Sequence, residues 1–192
     1  MRLLLTAAAA SLAIASAACT KQSDDNVATD TTINTDMSVD NVALTDNMMA
    51  PMAATDFAST IAASDMYEIA AGKLAQTMAT NEACKKFGAM LVTDHTKSSA
   101  MLKIAAAGAT PPVSLATTMP TELQAKLDAL KAAKGAAFDT LFVEQQKDGH
   151  QKALDALKSY ASSGDQASLK SFATDAAPVV QAHLDALNAM KM

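Results

Sequence analysis

The sequence predicts an all-α protein built as a four-helix bundle, with a long connection containing a short helix between the second and third long helices. Composition is the first reason: hydrophobic residues make up 50% of the chain but are drawn mainly from Ala, Leu and Met, with 4% aromatics and no Trp. That mixture favours helices and offers strands few β-branched or aromatic residues. Periodicity is the second, because four long segments repeat apolar residues at three- and four-residue steps and are separated by Pro, Gly or Asn breaks. The chain of 192 residues is long enough to close one well-packed core.

Taken in order, the first long helix is expected over 56–79. Thr55 is placed to cap it, and Phe57, Ile61, Glu68, Ala71 and Ala75 share one face. The second is expected over 82–107, opened by Asn81, with Cys84, Gly88, Leu91, His95, Ser98 and Leu102 in line. Residues 108–120 hold Pro111 and Pro112 and break the pattern. Thr121 and Gln124 then form a capping-box pattern that opens a short helix to about residue 133, and Gly135 marks a bend. The third long helix is expected over 136–161, with Phe138, Phe142, Val143, Gln146, His150, Leu154 and Leu157 inward. Residues 162–164 turn the chain and Asp165 caps the fourth, whose stripe reads Leu169, Phe172, Ala176, Val179, His183, Leu187 and Met190. Pro178 lies inside that helix and should kink it, which leaves the height of His183 the least fixed of the inward polar residues.

Residues 1–19 stand outside the fold. Met1-Arg2, the apolar run Leu3 to Ala15 and the small residues Ser16-Ala17-Ala18 have the layout of a secretory signal. Cys19 then looks like the lipobox cysteine of bacterial lipoproteins, which implies a lipid anchor on a periplasm-facing protein of the outer membrane. Ser16 stands where such boxes usually carry Leu, so ordinary cleavage to a soluble periplasmic or secreted protein is the alternative. Residues 20–54 are rich in Thr, Asp and Asn without apolar periodicity and read as a disordered tether, leaving residues 55–192 as the folded domain.

Charge separates these parts. The net charge of −5 falls on the tether, where six aspartates face Lys21, while residues 55–192 balance 14 acids against 13 lysines. Arg2 is the only arginine. A nearly neutral domain without guanidinium groups argues against nucleic acid as a partner. Met48, Met49 and Met52 form a soft cluster in the tether that could take monovalent copper, but methionines are spread through the chain and no second soft motif accompanies them. Protein partners leave no trace in the sequence.

The chemistry is concentrated in four residues. Glu68, His95, His150 and His183 lie one per long helix, all on inward stripes, roughly 18 to 26 Å from their helix starts in helices roughly 36 to 39 Å long. They are predicted to meet near mid-height in either an up-down or a crossover bundle, and the long segment 108–134 favours the ferritin-like crossover. Three imidazoles and one carboxylate suit a single ion of Zn, Cu, Ni or Fe. Ser64, Asp65, Asp94 and Gln146 are placed to support them from behind. A metal-free polar core, in which Glu68 pairs with histidines bonded to one another, accounts for the same pattern.

The runs DFASTIAASDMYEIAAGKLA, FGAMLVTDHTKSSAML, AAFDTLFVEQQKDGHQKALDAL and LKSFATDAAPVVQAHLDAL together resemble an uncharacterised family of bacterial envelope proteins with a ferritin-like bundle, domain of unknown function 4142. Its pattern maps onto Glu68, Asp94-His95, Phe138-Asp139 with His150, and His183. The resemblance implies a fold and a compartment, with an association to envelope stress, but no activity. A di-iron oxidase is disfavoured because the residues three before the histidines are Val92, Lys147 and Val180 rather than Glu. No serine elbow or other catalytic motif is present, so no enzyme activity is assigned. Cys84 lies about 16 Å along the helix from His95 and is expected to be a small buried hydrophobe, or, if Cys19 is not lipidated, to form a disulfide with Cys19 or with another molecule.

Overall fold

A computed structural model describes residues 52–191, so the expected signal segment, Cys19, Met48, Met49 and nearly all of the tether lie outside it. Among the described residues there are five helices and no strand: α1 (Ala54–Met78), α2 (Glu82–Ala107), α3 (Thr121–Ala132), α4 (Ala136–Ser163) and α5 (Ala167–Ala189). None is long and apolar enough to cross a membrane. The long helices pack as two pairs, α1 with α2 and α4 with α5, while α3 lies against α1 and α4.

The α1–α2 pair is set by glycine. A Cβ added at Gly72 would stand 2.6 Å from the Gly88 carbonyl oxygen, and one at Gly88 would stand 2.7 Å from that of Gly72. Backbone therefore meets backbone, and a side chain at either position would force the helices apart. The short turn after α1 makes the two helices antiparallel. Seven residues from this contact, back along α1 and forward along α2, stand Asp65 and His95, which the register brings face to face.

Two apolar clusters fill the interior. One holds Phe57, Leu102, Leu157, Tyr160, Leu169 and Phe172; the other holds Cys84, Phe87, Leu91, Leu130, Phe138, Phe142 and Leu187. Where these clusters meet lie the buried polar residues: Asp65 and Glu68 on α1, His95 on α2, Gln146 and His150 on α4, His183 on α5. The polar layer thus interrupts a core that is otherwise closed above and below it.

Several helix ends differ from expectation. Thr55 does not cap α1: the N-cap is Ala53, without a side-chain bond. The capping box at Thr121 and Gln124 is not formed, because Pro120 takes the N-cap and the Gln124 amide donates instead to Asp128 at 3.0 Å. Asp165 does not cap α5, since its carboxylate accepts from the Tyr160 hydroxyl at 2.7 Å and Gln166 stands at the N-cap. Asn81 does cap α2, accepting from the Ala83 N–H at 2.8 Å. Gly135 makes the expected bend with φ of 58°, a conformation costly for other residues.

The buried stripe of α5 keeps Leu169, Phe172, His183 and Leu187 as expected but differs at one position. Val179 is 45% exposed and Val180 is the buried one. At about 100° per residue, Val180 falls within about 20° of Leu169 and Leu187 at the centre of the stripe, whereas Val179 lies about 80° away at its edge. Residues 167–189 remain helical through Pro178, and His183 stays with the other histidines.

Candidate metal centre

Three buried histidines lie close enough together to hold a metal ion. A nitrogen from each of His95, His150 and His183 is within 4.8 Å of the other two, and their ring centroids are 5.2 to 5.7 Å apart. A tetrahedral ion with bonds of about 2.0–2.1 Å has its nitrogens about 3.3 Å apart. His150 Nε2 and His183 Nδ1, at 3.2 Å, already have that spacing. Distances of up to 4.8 Å to His95 must close to about 3.3 Å, an adjustment within reach of side-chain movement for a site that tightens on loading.

Each ring is anchored through its other nitrogen. His95 Nδ1 is 2.7 Å from Asp65 Oδ1, whose second oxygen accepts from the Ser99 hydroxyl at 3.1 Å. His150 Nδ1 donates to the Gln146 carbonyl at 2.9 Å, and His183 Nε2 is 3.0 Å from Asp94 Oδ2. All three anchors are acceptors, so they draw the ring hydrogen to the anchored nitrogen and turn the other toward the cluster. Such backing fixes the tautomer and orientation of metal-ligating imidazoles.

A count of hydrogens sharpens the point. Burial lowers the His150 imidazole to about 3, helped by the charges of His95 and His183, and burial also lowers His183 against the pull of Asp94. Both rings are therefore neutral near pH 7 and carry two hydrogens between them. The three contacts from Gln146 through His150 and His183 to Asp94 need three. A metal ion between the rings would supply the missing positive partner without a third hydrogen.

Glu68 sits beside this trio rather than within it. Its Oε1 is 3.8 Å from His150 Nδ1, the anchored nitrogen, and its Oε2 has no hydrogen-bond partner. Burial raises its carboxyl to about 7, opposed by the charge of His95. His95 itself is pulled down by burial, but the carboxylates of Asp65 and Glu68 outweigh this and raise it. The other orphaned atoms are His95 Nε2 and both polar atoms of the Gln146 side chain. A buried group left so costs about 1–3 kcal/mol. An ion bound at His95 Nε2 removes one such cost directly.

Of the expected supporting residues, Asp65 and Asp94 hold histidines, Gln146 does so through its carbonyl, and Ser64 borders cavities on both sides of the layer without bonding to a histidine. Ser99 was not anticipated, although its place four residues after His95 puts it on the same helical face. Gly149 was also missed. A Cβ there would meet Glu68 Oε1 at 3.3 Å, so a glycine inside α4 leaves room for that carboxylate. Cys84 is buried, with its Sγ 3.7 Å from the Met190 sulfur.

A family model described as Domain of unknown function (DUF4142) matches residues 40–190. The chain belongs to this family. No match is found among curated proteins or among solved structures. Within the DUF4142 pattern the structure separates two roles. The histidines and Glu68 form the polar layer, whereas Asp139 is elsewhere: its carboxylate accepts from the N–H groups of Thr80 and Asn81, both at 3.0 Å, and from the Thr80 hydroxyl. It clamps α4 to the α1–α2 turn. Phe138, its neighbour, fills the apolar cluster on that side.

Proposed function

We propose that this DUF4142 protein is an exported ferritin-like four-helix bundle that holds one transition-metal ion of Zn, Cu, Ni or Fe on His95, His150 and His183. Glu68, beside the anchored nitrogen of His150 and with a free Oε2, is the nearby carboxylate that would reach the fourth position through a water or after its side chain moves. A lipid on Cys19 would tether the protein to the outer membrane, where holding an ion serves metal handling or protection under envelope stress. The observation that carries the reading is the arrangement of the three rings, each anchored by an acceptor on one nitrogen and grouped through the other.

One feature favours a different reading. His150 and His183 are within hydrogen-bonding distance of each other, as they would be in a metal-free polar core whose role is to fix helix pairing. The protein would then be a structural or interaction module. Elemental analysis of protein purified without a His tag, alongside a His95→Ala, His150→Ala double variant, distinguishes the two. The metal reading expects close to one equivalent of ion, lost in the variant, and a stabilisation of about 2.7 kcal/mol when free ion exceeds its dissociation constant a hundredfold. Less than about a tenth of an equivalent, with no rise in melting temperature on adding zinc, copper or iron, supports the structural module instead.

A further inference from the structure

The three histidines are at most 7% exposed, so an ion held there must pass through the protein wall. Two cavities flank the polar layer. One, of about 270 Å³, lies between α2 and α5 and reaches His95 and His183; the other, of about 230 Å³, lies among α1, α3 and α4 and reaches Glu68 but none of the histidines.

We propose that the α2–α5 cleft is the route by which a divalent transition-metal ion reaches and leaves the histidines, with Asp175 and Asp94 as its relay. The inference rests on the proposed metal-binding reading and adds where the ion travels.

Three features single out this cleft. Its walls are largely apolar, including Ile61, Met101, Phe172 and Val180, yet its lining carries three aspartates against one lysine, Lys97. These carboxylates are graded in depth. Asp175 is exposed, the Asp94 side chain is 35% exposed and that of Asp65 is 3% exposed. The two deeper ones each hold a histidine by its anchored nitrogen, so an ion that exchanges water for the Asp94 carboxylate stands beside the His183 ring and has only to pass its edge to reach the cluster-facing nitrogens. His95, which borders the same cleft, carries the unpartnered Nε2 that would complete the transfer.

The outer wall is also the weakest turn of α5. Pro178 has no N–H to give the Thr174 carbonyl, so one helical bond is missing in the segment that holds Asp175, Ala176 and Val179. Val179 leans outward at its edge, 45% exposed. Opening there costs less than opening a fully bonded turn. As the ion passes inward it trades water for carboxylate oxygen and then carboxylate for imidazole nitrogen, and any hydrogen on the receiving nitrogen leaves to solvent.

Stopped-flow loading of the metal-free full-length chain with zinc, followed by extraction with excess chelator, tests the route. Ala176→Trp, which fills the cleft, is expected to slow loading and extraction together, on the order of tenfold, with stoichiometry and affinity unchanged. Asp175→Lys, on the surface, is expected to slow loading several-fold at low salt, the difference fading at high salt as the charge is screened. Leu123→Trp, in the opposite cavity, should leave the rates alone. If the tryptophan at 176 prevents folding, Asp175→Lys alone decides. Wild-type rates in both cleft variants, with zinc still bound, overturn the route and leave the metal reading standing. Failure of the wild-type chain to bind zinc at all overturns both.

Discussion

Glu68 and the three histidines of the polar layer are shifted in opposing directions. Glu68 is raised from 4.5 to about 7, so its contribution to stability is complete below pH 4.5 and is lost as pH rises through 7. His150 is lowered from 6.5 to about 3, so its contribution is complete above pH 6.5 and is lost as pH falls toward 3. His95, raised, follows Glu68, and His183, lowered, follows His150. Between about pH 4.5 and 6.5 the opposite slopes of Glu68 and His150 work against each other, while His95, protonated in the folded and unfolded states alike, adds none, so the metal-free protein should vary less with pH than either group alone would make it. Glu68→Gln removes one raised carboxyl and part of the support for a charged His95. Its stability should then fall on acidification from about pH 6.5, by up to about 1.4 kcal/mol per pH unit. Chemical denaturation across this range checks it; identical profiles for the variant and wild type would mean that Glu68 is not ionising against these histidines.

At the scale of helices and turns, the placement of the layer depends on contacts remote in sequence. The Gly72–Gly88 approach fixes the α1–α2 register, and Asp139 fixes the turn between them from a third helix. Asp139→Ala removes the acceptor for two backbone N–H groups and a hydroxyl at a largely buried site. It should cost about 2–4 kcal/mol by denaturant unfolding, whereas Asp139→Asn, keeping one oxygen, should cost less. A change within about 0.5 kcal/mol for the alanine variant would show that the clamp is dispensable. The same remoteness explains which element features could be read from sequence. The long helices were legible because apolar and polar residues alternate with the helical period. The caps expected at Thr55, Thr121 and Asp165 failed because local patterns say nothing of Tyr160 claiming Asp165 or of Pro120 taking the first position. Val179 and Val180 are equally three or four residues from a neighbour on the stripe, and only the angle accumulated over the whole helix separates them.

For the molecule as a whole, two apolar clusters enclose one polar layer, and this explains why so much of the site was visible beforehand. His95, His150 and His183 are the only histidines in the chain, the first two at mid-helix and the third nearer the end of α5, all on inward faces, so packing the helices in antiparallel order brings them together. Glu68 lies at the same height, but its position against the anchored side of His150 depends on side-chain direction and on the space left by Gly149, neither of which a stripe records. Whether the layer was built for an ion is decided by the metal's own surroundings. X-ray absorption at the zinc edge, on full-length chain loaded with one equivalent of zinc, measures them most directly. A three-histidine centre gives imidazole scattering from three rings at about 2.0–2.1 Å and no sulfur at about 2.3 Å. A shell with fewer than three imidazoles, or one containing sulfur, would contradict it.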